Sequence, residues 1–218
     1  MMTVSLREPV NAISHMLGGF AAFAGLTLLI VFASVHATVW HIVSFSIYGS
    51  SLLMMYTASS VYHSLKISEE GIRVLRKIDH MMIFLLIAGS YTPICLVPLR
   101  GVWGWSIFGT VWGIAVTGII LKLFFINMPR WVSTAIYLVM GWICIVAIVP
   151  LVKSVQTGCM MWLLAGGLFY SGGAVIYALK RPNIKPDILG FHEIWHIFVL
   201  LGSGCHFWAM FRYVMYLS

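Results

Sequence analysis

The stretch that decides the fold class is the apolar run NAISHMLGGFAAFAGLTLLIVFAS, residues Asn11–Ser34, in which His15 is the only ionisable side chain. A helix of this length spans about 36 Å and therefore crosses a hydrocarbon core of about 30 Å. The rest of the chain has a similar composition: 61% of the 218 residues are hydrophobic, 9% are charged, and the mean hydropathy is +0.98. A soluble domain of this size needs more charge to cover its surface. The composition therefore predicts an integral membrane protein.

Seven apolar runs of comparable length follow one another, separated by short polar or turn-forming segments. They predict helices at Asn11–Ser34, Val39–His63, Asp79–Val97, Val102–Lys122, Trp131–Leu151, Cys159–Leu179 and Phe191–Tyr213. Seven spans of roughly 20 residues use most of the chain and leave room only for short loops. The expected fold is all-α, a single seven-transmembrane-helix domain that covers residues 1–218.

The Lys and Arg residues are distributed unequally between the two sides of this predicted bundle. If successive helices cross in opposite directions, ten of the 13 fall on the side of the N-terminus, and only Arg100, Lys153 and Arg212 fall on the other. Because short cytoplasmic loops carry the excess of positive charge, we predict a cytoplasmic N-terminus and a periplasmic or extracellular C-terminus. The basic residues are scattered between apolar runs, so the net charge of +7 does not indicate nucleic-acid binding.

Several ionisable side chains fall within or at the ends of the predicted helices, and they are concentrated near one surface. His63 ends the second helix, Asp79 begins the third, and His192 and His196 begin the seventh. Alternating helices place all four residues near the cytoplasmic side. Ionisable residues in membrane helices usually face the bundle interior or a cavity, so we expect these four to lie close together.

The spacing of the histidines indicates a metal site. His192 and His196 are four residues apart and so lie on one face of a helix, as do Ser59 and His63. With His63 as a third imidazole, three nitrogen ligands would leave a fourth position open to water, as in catalytic zinc sites. The alternative is that these histidines only form hydrogen bonds between helices.

The last helix also contains a short motif that suggests a different reaction. The sequence His192-Glu-Ile-Trp-His196 matches the H-E-x-x-H pattern of zinc metalloproteases. In that interpretation Glu193 is the general base and the substrate is a peptide. Such short patterns also arise by chance, and nothing in the sequence resembles the third-ligand motif of an intramembrane protease, so this interpretation is the weaker one.

Other polar residues allow more than one interpretation. Glu8, Asn11 and His15 share one face of the first helix, where they either support the histidine site or pack between helices. His206 lies on a similar face to the other histidines of the last helix but deeper, where it either lines the same cavity or only packs. His41, near the opposite surface, is expected to be solvated.

Three stretches, in order along nearly the whole chain, carry a resemblance to a known family. They are Glu8-Pro-Val-Asn11-Ala-Ile-Ser14-His15; Ser59-Ser-Val-Tyr-His63 followed by Asp79 and Gly89-Ser90-Tyr-Thr-Pro93; and His192-Glu-Ile-Trp-His196 with His206. On these residues the chain resembles the hemolysin III branch of the progestin and adipoQ receptor family. That family belongs to a wider superfamily that includes the alkaline ceramidases.

The resemblance implies both a fold and a set of site residues. It implies a seven-helix bundle with a cytoplasmic N-terminus and a zinc ion (Zn2+) held by His63, His192 and His196. It also implies that Asp79 contacts a water on the zinc and that Ser59 lies beside the site. The hemolysin name implies cytolysis, but the sequence contains no amphipathic pore-forming segment.

From these features we expect a zinc-dependent hydrolase that acts on a lipid amide or ester and affects membrane lipid homeostasis. Asp79 would orient or deprotonate the attacking water, and Ser59 would position that water or the developing oxyanion. Two other classes stay open, namely a non-enzymatic regulator or lipid sensor with structural zinc, and a cytolytic or channel-forming hemolysin. We expect the protein in the bacterial cytoplasmic (inner) membrane, with membrane lipids as its partners, and the sequence does not identify a protein partner.

Overall fold

The computed structural model describes residues 6–124, 129–185 and 188–217, and within these ranges every regular element is a helix. The long helices are α1 (Pro9–His36), α2 (Val39–Ser64), α3 (Glu69–Leu96), α4 (Val102–Phe124), α7 (Thr157–Leu179) and α8 (Phe191–Arg212). Between α4 and α7 lie α5 (Arg130–Gly141), a 3-10 turn (Ile143–Ala147) and α6 (Ile148–Ser154), and a second 3-10 turn (Val214–Tyr216) follows α8. The all-α class is confirmed.

Six segments of the described residues are long and apolar enough to cross a membrane. They are α1, α3, α4, α7, the α5–α6 segment Arg130–Ser154 and the segment Phe191–Tyr216. Helix α2 is similar in length, but its serines and two histidines make it more polar. Large apolar side chains such as Phe20, Val102 and Phe124 are exposed on the outer faces, as expected where lipid is the solvent. The chain is therefore a multi-pass membrane protein.

The helices pack in a ring that surrounds a central cavity. Helix α1 packs along α2, α2 along α3, and α7 along α8, which contacts α1 again; α5 contacts both α3 and α7, and α4 packs against α3. Gly18 allows α1 to approach α2 closely, because a Cβ at this position would lie 2.7 Å from Cδ1 of Tyr56. This close approach brings His15 of α1 and Ser59 of α2, which are one turn away, into direct contact.

Helix α3 begins at Glu69, ten residues before the predicted start at Asp79. The intervening residues are charged and were expected to form a loop, but Ser68 caps the helix by accepting a hydrogen bond from the backbone N–H of Gly71 at 3.3 Å. The acidic residues Glu69 and Glu70 also stabilise the first turn, because negative charge is favourable at a helix N-terminus. The predicted boundary was wrong, and Asp79 lies within α3 rather than at its end.

The predicted fifth helix is interrupted near its middle. Helix α5 ends at Gly141, and a 3-10 turn separates it from α6. Pro150 explains the interruption, since its ring clashes with the carbonyl of Val146 in an α-helix and it has no N–H to donate. Tyr91 of α3 fills the break, because its hydroxyl donates to the carbonyl of Gly141 at 2.6 Å and accepts from the N–H of Cys144 at 3.1 Å. Polar backbone groups freed by the break are thus satisfied inside the bundle.

His41 is buried, and the expectation that it is solvated was wrong. Only 1% of its surface is exposed, and its Nε2 lies 3.1 Å from the carbonyl oxygen of Val214. The 3-10 turn that follows α8 packs over the start of α2 and covers the ring. This contact joins residues 173 positions apart, so local sequence does not reveal it.

Candidate metal site

Three histidines from two helices meet near one end of the bundle. One ring nitrogen from each of His63, His192 and His196 lies within 4.8 Å of the other two, so these residues can hold a metal ion. The ring centroids are 4.9 to 5.0 Å apart. His192 and His196 lie one turn apart on α8, and His63 is contributed by the last turn of α2. The structure thus brings together all three residues that the sequence predicts as metal ligands.

The hydrogen bond of His63 to Glu8 leaves its other ring nitrogen available to bind a metal. Its Nδ1–H donates to Oε2 of Glu8 at 2.6 Å, which leaves Nε2 as the ring nitrogen whose lone pair can bind a metal. This Nε2 is buried and has no hydrogen-bond partner among the described residues. An unpaired buried nitrogen is costly, and a bound metal would remove that cost. His196 is held in a related way, since its Nδ1 lies 3.3 Å from Oγ of Ser14.

Glu8 orients His63 from a position just before α1. Burial on its own would raise the pKa of Glu8, but hydrogen bonds from His63 and Asn11 and the nearby charge of Arg7 lower it to about 2. The side chain is therefore ionised, and its other oxygen lies 3.1 Å from Nε of Arg7. A carboxylate that accepts the second N–H of a histidine fixes the ring orientation and raises its basicity as a ligand.

Glu193 is directed toward the start of its own helix. Its Oε2 accepts a hydrogen bond from the backbone N–H of Gly190 at 2.8 Å, and its Oε1 accepts one from Nδ2 of Asn11 at 2.7 Å. Oε2 therefore caps the start of α8, and Oε1 connects α8 to α1. This arrangement accounts for Glu193 within the H-E-x-x-H segment without a role as general base.

Ser59 and Asp79 lie beside the three histidines. Ser59 is 2% exposed, its hydroxyl is 2.8 Å from Nδ1 of His15, and it lies near enough to Asp79 to interact with its carboxyl. Asp79 comes from α3 and is close enough to His63 for an electrostatic interaction. The structure therefore places both predicted catalytic residues on the wall of the cavity that contains the histidines.

His15 has a larger part in the site than its sequence position suggests. Its ring stacks on that of His196 with centroids 3.5 Å apart and planes 10° from parallel, while its Nδ1 contacts Ser59. Glu8 and Asn11 also contact site residues directly. Of the two interpretations of this face of α1, the structure favours support of the histidine site.

The cavity next to the histidines has a volume of about 620 Å³ and extends along the bundle axis. Its far end is lined by Trp142, Tyr170 and His206, and apolar side chains including Ile83 and Leu86 line the wall between. His206 lies on this wall and also has its Nε2 3.3 Å from the carbonyl oxygen of Leu163. It is ten residues beyond His196, which corresponds to about 15 Å along α8. A cavity of this length and polarity can hold an acyl chain.

Comparison with known proteins identifies relatives over nearly the whole chain. A model of the family described as "Haemolysin-III related" matches residues 4–207. The protein named Hemolysin-3 of Bacillus cereus is 38% identical over 215 residues, which cover 98% of this chain and 95% of that relative. A Hemolysin-3 homolog of Bacillus subtilis (strain 168) is 39% identical over 213 residues, covering 98% and 96%. The human monocyte to macrophage differentiation factor is 28% identical over 183 residues, covering 80% and 72%.

Proposed function

This chain belongs to the haemolysin-III related family, and on that premise we propose that it is a zinc-dependent hydrolase of a lipid amide or ester. The observation that carries the proposal is the group of three imidazoles on the wall of a cavity of about 620 Å³ that is partly lined by apolar side chains. His63, His192 and His196 would hold the metal. When bound, the zinc ion would polarise the acyl carbonyl and lower the pKa of water toward about 7.

Zinc is the metal that best fits the donor set. Three imidazoles suit zinc, and three protein ligands with a fourth position open to water are typical of its catalytic sites. A hydrogen bond from His63 to Glu8 supplies the outer partner that metal-bound histidines almost always have. The buried, unpartnered Nε2 of His63 is the atom that would face the ion.

Asp79 would transfer the proton, and Ser59 would position the reacting groups. The carboxylate of Asp79 would accept a proton from the attacking water and return it to the leaving group. The hydroxyl of Ser59, which lies 2.8 Å from Nδ1 of His15 and near Asp79, would orient the carboxylate or donate to the oxygen that becomes negative during attack. His15 would keep the Ser59 hydroxyl in place.

The same proposal includes an orientation in the membrane. We propose that α2 crosses together with the six more apolar segments, which gives seven spans in one domain of residues 1–218. The N-terminus and the histidine site would then lie on the cytoplasmic side of the bacterial inner membrane, and the C-terminus on the outer side, because most Lys and Arg residues fall on the site side. A lipid substrate would enter from the bilayer, and its turnover would affect lipid homeostasis.

We expect the purified protein in nanodiscs to release fatty acid from an N-acyl or ester lipid in a metal-dependent way. Chelation should reduce release to background, and stoichiometric zinc should restore it; fatty acid release is quantified by mass spectrometry across a panel of amide and ester lipids. Release that continues after complete metal removal would rule out the proposed mechanism.

The variant Glu193→Gln distinguishes this reaction from proteolysis. Because Glu193 caps α8 and contacts Asn11, we expect the variant to be less stable by about 1 kcal/mol but to retain lipid hydrolysis within a few-fold. A metalloprotease with Glu193 as its general base would instead lose activity completely. Peptide hydrolysis measured on the same preparation provides the comparison.

We also predict that Glu8→Ala weakens zinc binding by about 10- to 100-fold, because His63 loses the carboxylate that orients its ring. The measurement is competition for zinc against a chelator of known affinity. Glu69→Ala serves as the matched control, since Glu69 is exposed at the start of α3. Glu8→Gln keeps an acceptor for Nδ1–H and is expected to fall between the wild type and Glu8→Ala. Equal affinity in all variants would exclude this role.

A further inference from the structure

The cavity that contains the histidines is also lined by four basic side chains on or next to four different helices. Arg76 comes from the first part of α3, Lys122 from the end of α4 and Arg130 from the start of α5, and Lys180 is the capping residue directly after α7. All four line the same cavity as His192. The mouth of the cavity therefore concentrates positive charge.

This positive charge has little compensation from acidic residues. Among the residues that the structure describes, the carboxylates that line the cavity are Glu8 and Asp79, two against four basic residues. Among the described residues, the ion pairs within 4.0 Å both involve Glu8, which pairs with Arg7 and His63. None of the four basic side chains has an anionic partner of this kind in the described part of the chain, so the cavity mouth offers a site for an anion.

Lys122 gives the clearest indication of a ligand. Only 4% of this residue is exposed, and its Nζ donates to the neutral hydroxyl of Ser133 at 2.6 Å. A buried ammonium without an anion is costly. The preference for positive charge on the cytoplasmic side accounts for a lysine at this end of α4, but such a lysine could remain in solvent. Its burial in the cavity wall needs a different explanation, and an anionic ligand would supply the missing charge.

Arg130 connects this charge to the histidine site. Its guanidinium lies 4.7 Å from the ring centroid of Tyr177 and 5.6 Å from that of Phe191, the residue immediately before His192. Its Nη1 is buried and has no hydrogen-bond partner within the described residues. It is also close enough to interact electrostatically with His192. A group bound by Arg130 would therefore lie next to the proposed reaction centre, with one N–H already free to contact it.

We propose that Arg76, Lys122, Arg130 and Lys180 bind the phosphate of an anionic lipid whose acyl chain occupies the apolar part of the cavity. The proposal rests on the proposed hydrolase function for its last step, in which the acyl bond next to the head group meets the three histidines. It names the substrate class as a phospholipid or lysophospholipid rather than a neutral N-acyl lipid. Guanidinium and ammonium groups both bind phosphate through charge-assisted hydrogen bonds.

The test uses a lipid that the enzyme cannot hydrolyse, so that binding is measured independently of turnover. An alkylglycerol phosphate with an ether-linked chain is titrated into the full-length purified protein in a neutral detergent, and the same alkylglycerol without phosphate is titrated in parallel. We expect the phosphate to increase affinity about tenfold or more. Inorganic phosphate alone is expected to bind at least about a hundredfold more weakly than the phosphate lipid, because it lacks the chain that fills the cavity. Equal affinity of the two ether lipids, or of inorganic phosphate and the phosphate lipid, would overturn the proposal.

Variants assign the effect to the four basic residues. Lys122→Met and Arg130→Gln should each lower affinity for the phosphate lipid by about tenfold and leave affinity for the neutral alkylglycerol unchanged, which also shows that the variant is folded. Lys153→Met and Arg100→Gln are the matched controls, because both residues are exposed and neither lines the cavity. Unchanged phosphate-lipid affinity in both cavity variants contradicts the proposal. A failure of the hydrolase assay has no bearing on these titrations, since the ether probe is not a substrate.

Discussion

Replacement of His196 with alanine is expected to lower the bound zinc from about one ion per chain to below about one tenth, and to reduce lipid hydrolysis to background. Two imidazoles would remain, which is too few for a stable site in competition with buffer and water. The effect should be strong because His196 is 1% exposed and supplies one of the three imidazole nitrogens of the group. The measurement is metal content by elemental analysis of protein purified without added zinc.

His36→Ala is the matched control for this variant. His36 is exposed at the far end of α1, so its loss should leave metal content and hydrolysis unchanged. Because the removal of a buried ring can also disturb packing, the His63→Ala variant, which breaks the group from α2 instead of α8, should show the same loss of metal. Full zinc content in either variant would contradict the three-histidine assignment.

Much of the histidine group was predictable because it depends on the spacing of residues within a helix and on the order of the helices. His192 and His196 share a helix face by spacing alone, and alternating helices bring His63 to the same layer. An apolar run such as Asn11–Ser34 likewise predicts a membrane helix from its own composition. The all-α class and the grouping of the three histidines therefore follow from periodicity and from hydropathy, and the resemblance to a known family agrees with both.

Features that depend on contacts between distant residues were harder to predict. The break after Gly141 is stabilised by Tyr91, 50 positions earlier, and Glu193 contacts Asn11, 182 positions away. The charged stretch before Asp79 looks like a loop by hydropathy, although its capping serine and acidic first turn favour a helix. In each case a side chain forms a hydrogen bond that hydropathy does not detect.

The proposed role of the basic residues in the cavity was also not predictable from the sequence. By sequence, Lys122 and Arg130 count as topology signals, because positive charge on one side is typical of membrane proteins. Only the packing of α4 and α5 against the rest of the bundle shows that both line the cavity. Burial, rather than residue type, makes Lys122 a candidate for ligand binding, and burial depends on the tertiary structure.

Asp79→Asn is expected to lower kcat by about 10²- to 10⁴-fold while zinc content stays near one ion per chain. Asparagine has nearly the same shape, but it cannot accept a proton from the attacking water. Ser59→Ala should have a smaller effect, about 10²-fold, because it removes a hydroxyl that positions other groups. Activity and metal content are measured on the same preparations, with Glu69→Gln as an exposed acidic control.

The metal content of Asp79→Asn also decides between an enzyme and a regulator with structural zinc. If Asp79 acts as a base beside the site, the variant loses turnover and keeps its metal. If Asp79 is itself a ligand of a closed site, the variant should lose metal as completely as His196→Ala does, and no position would be left for water. The position of Asp79 favours the first outcome, because Asp79 lines the same cavity as the histidines but does not belong to the group of side chains whose ligand atoms lie within 4.8 Å of one another.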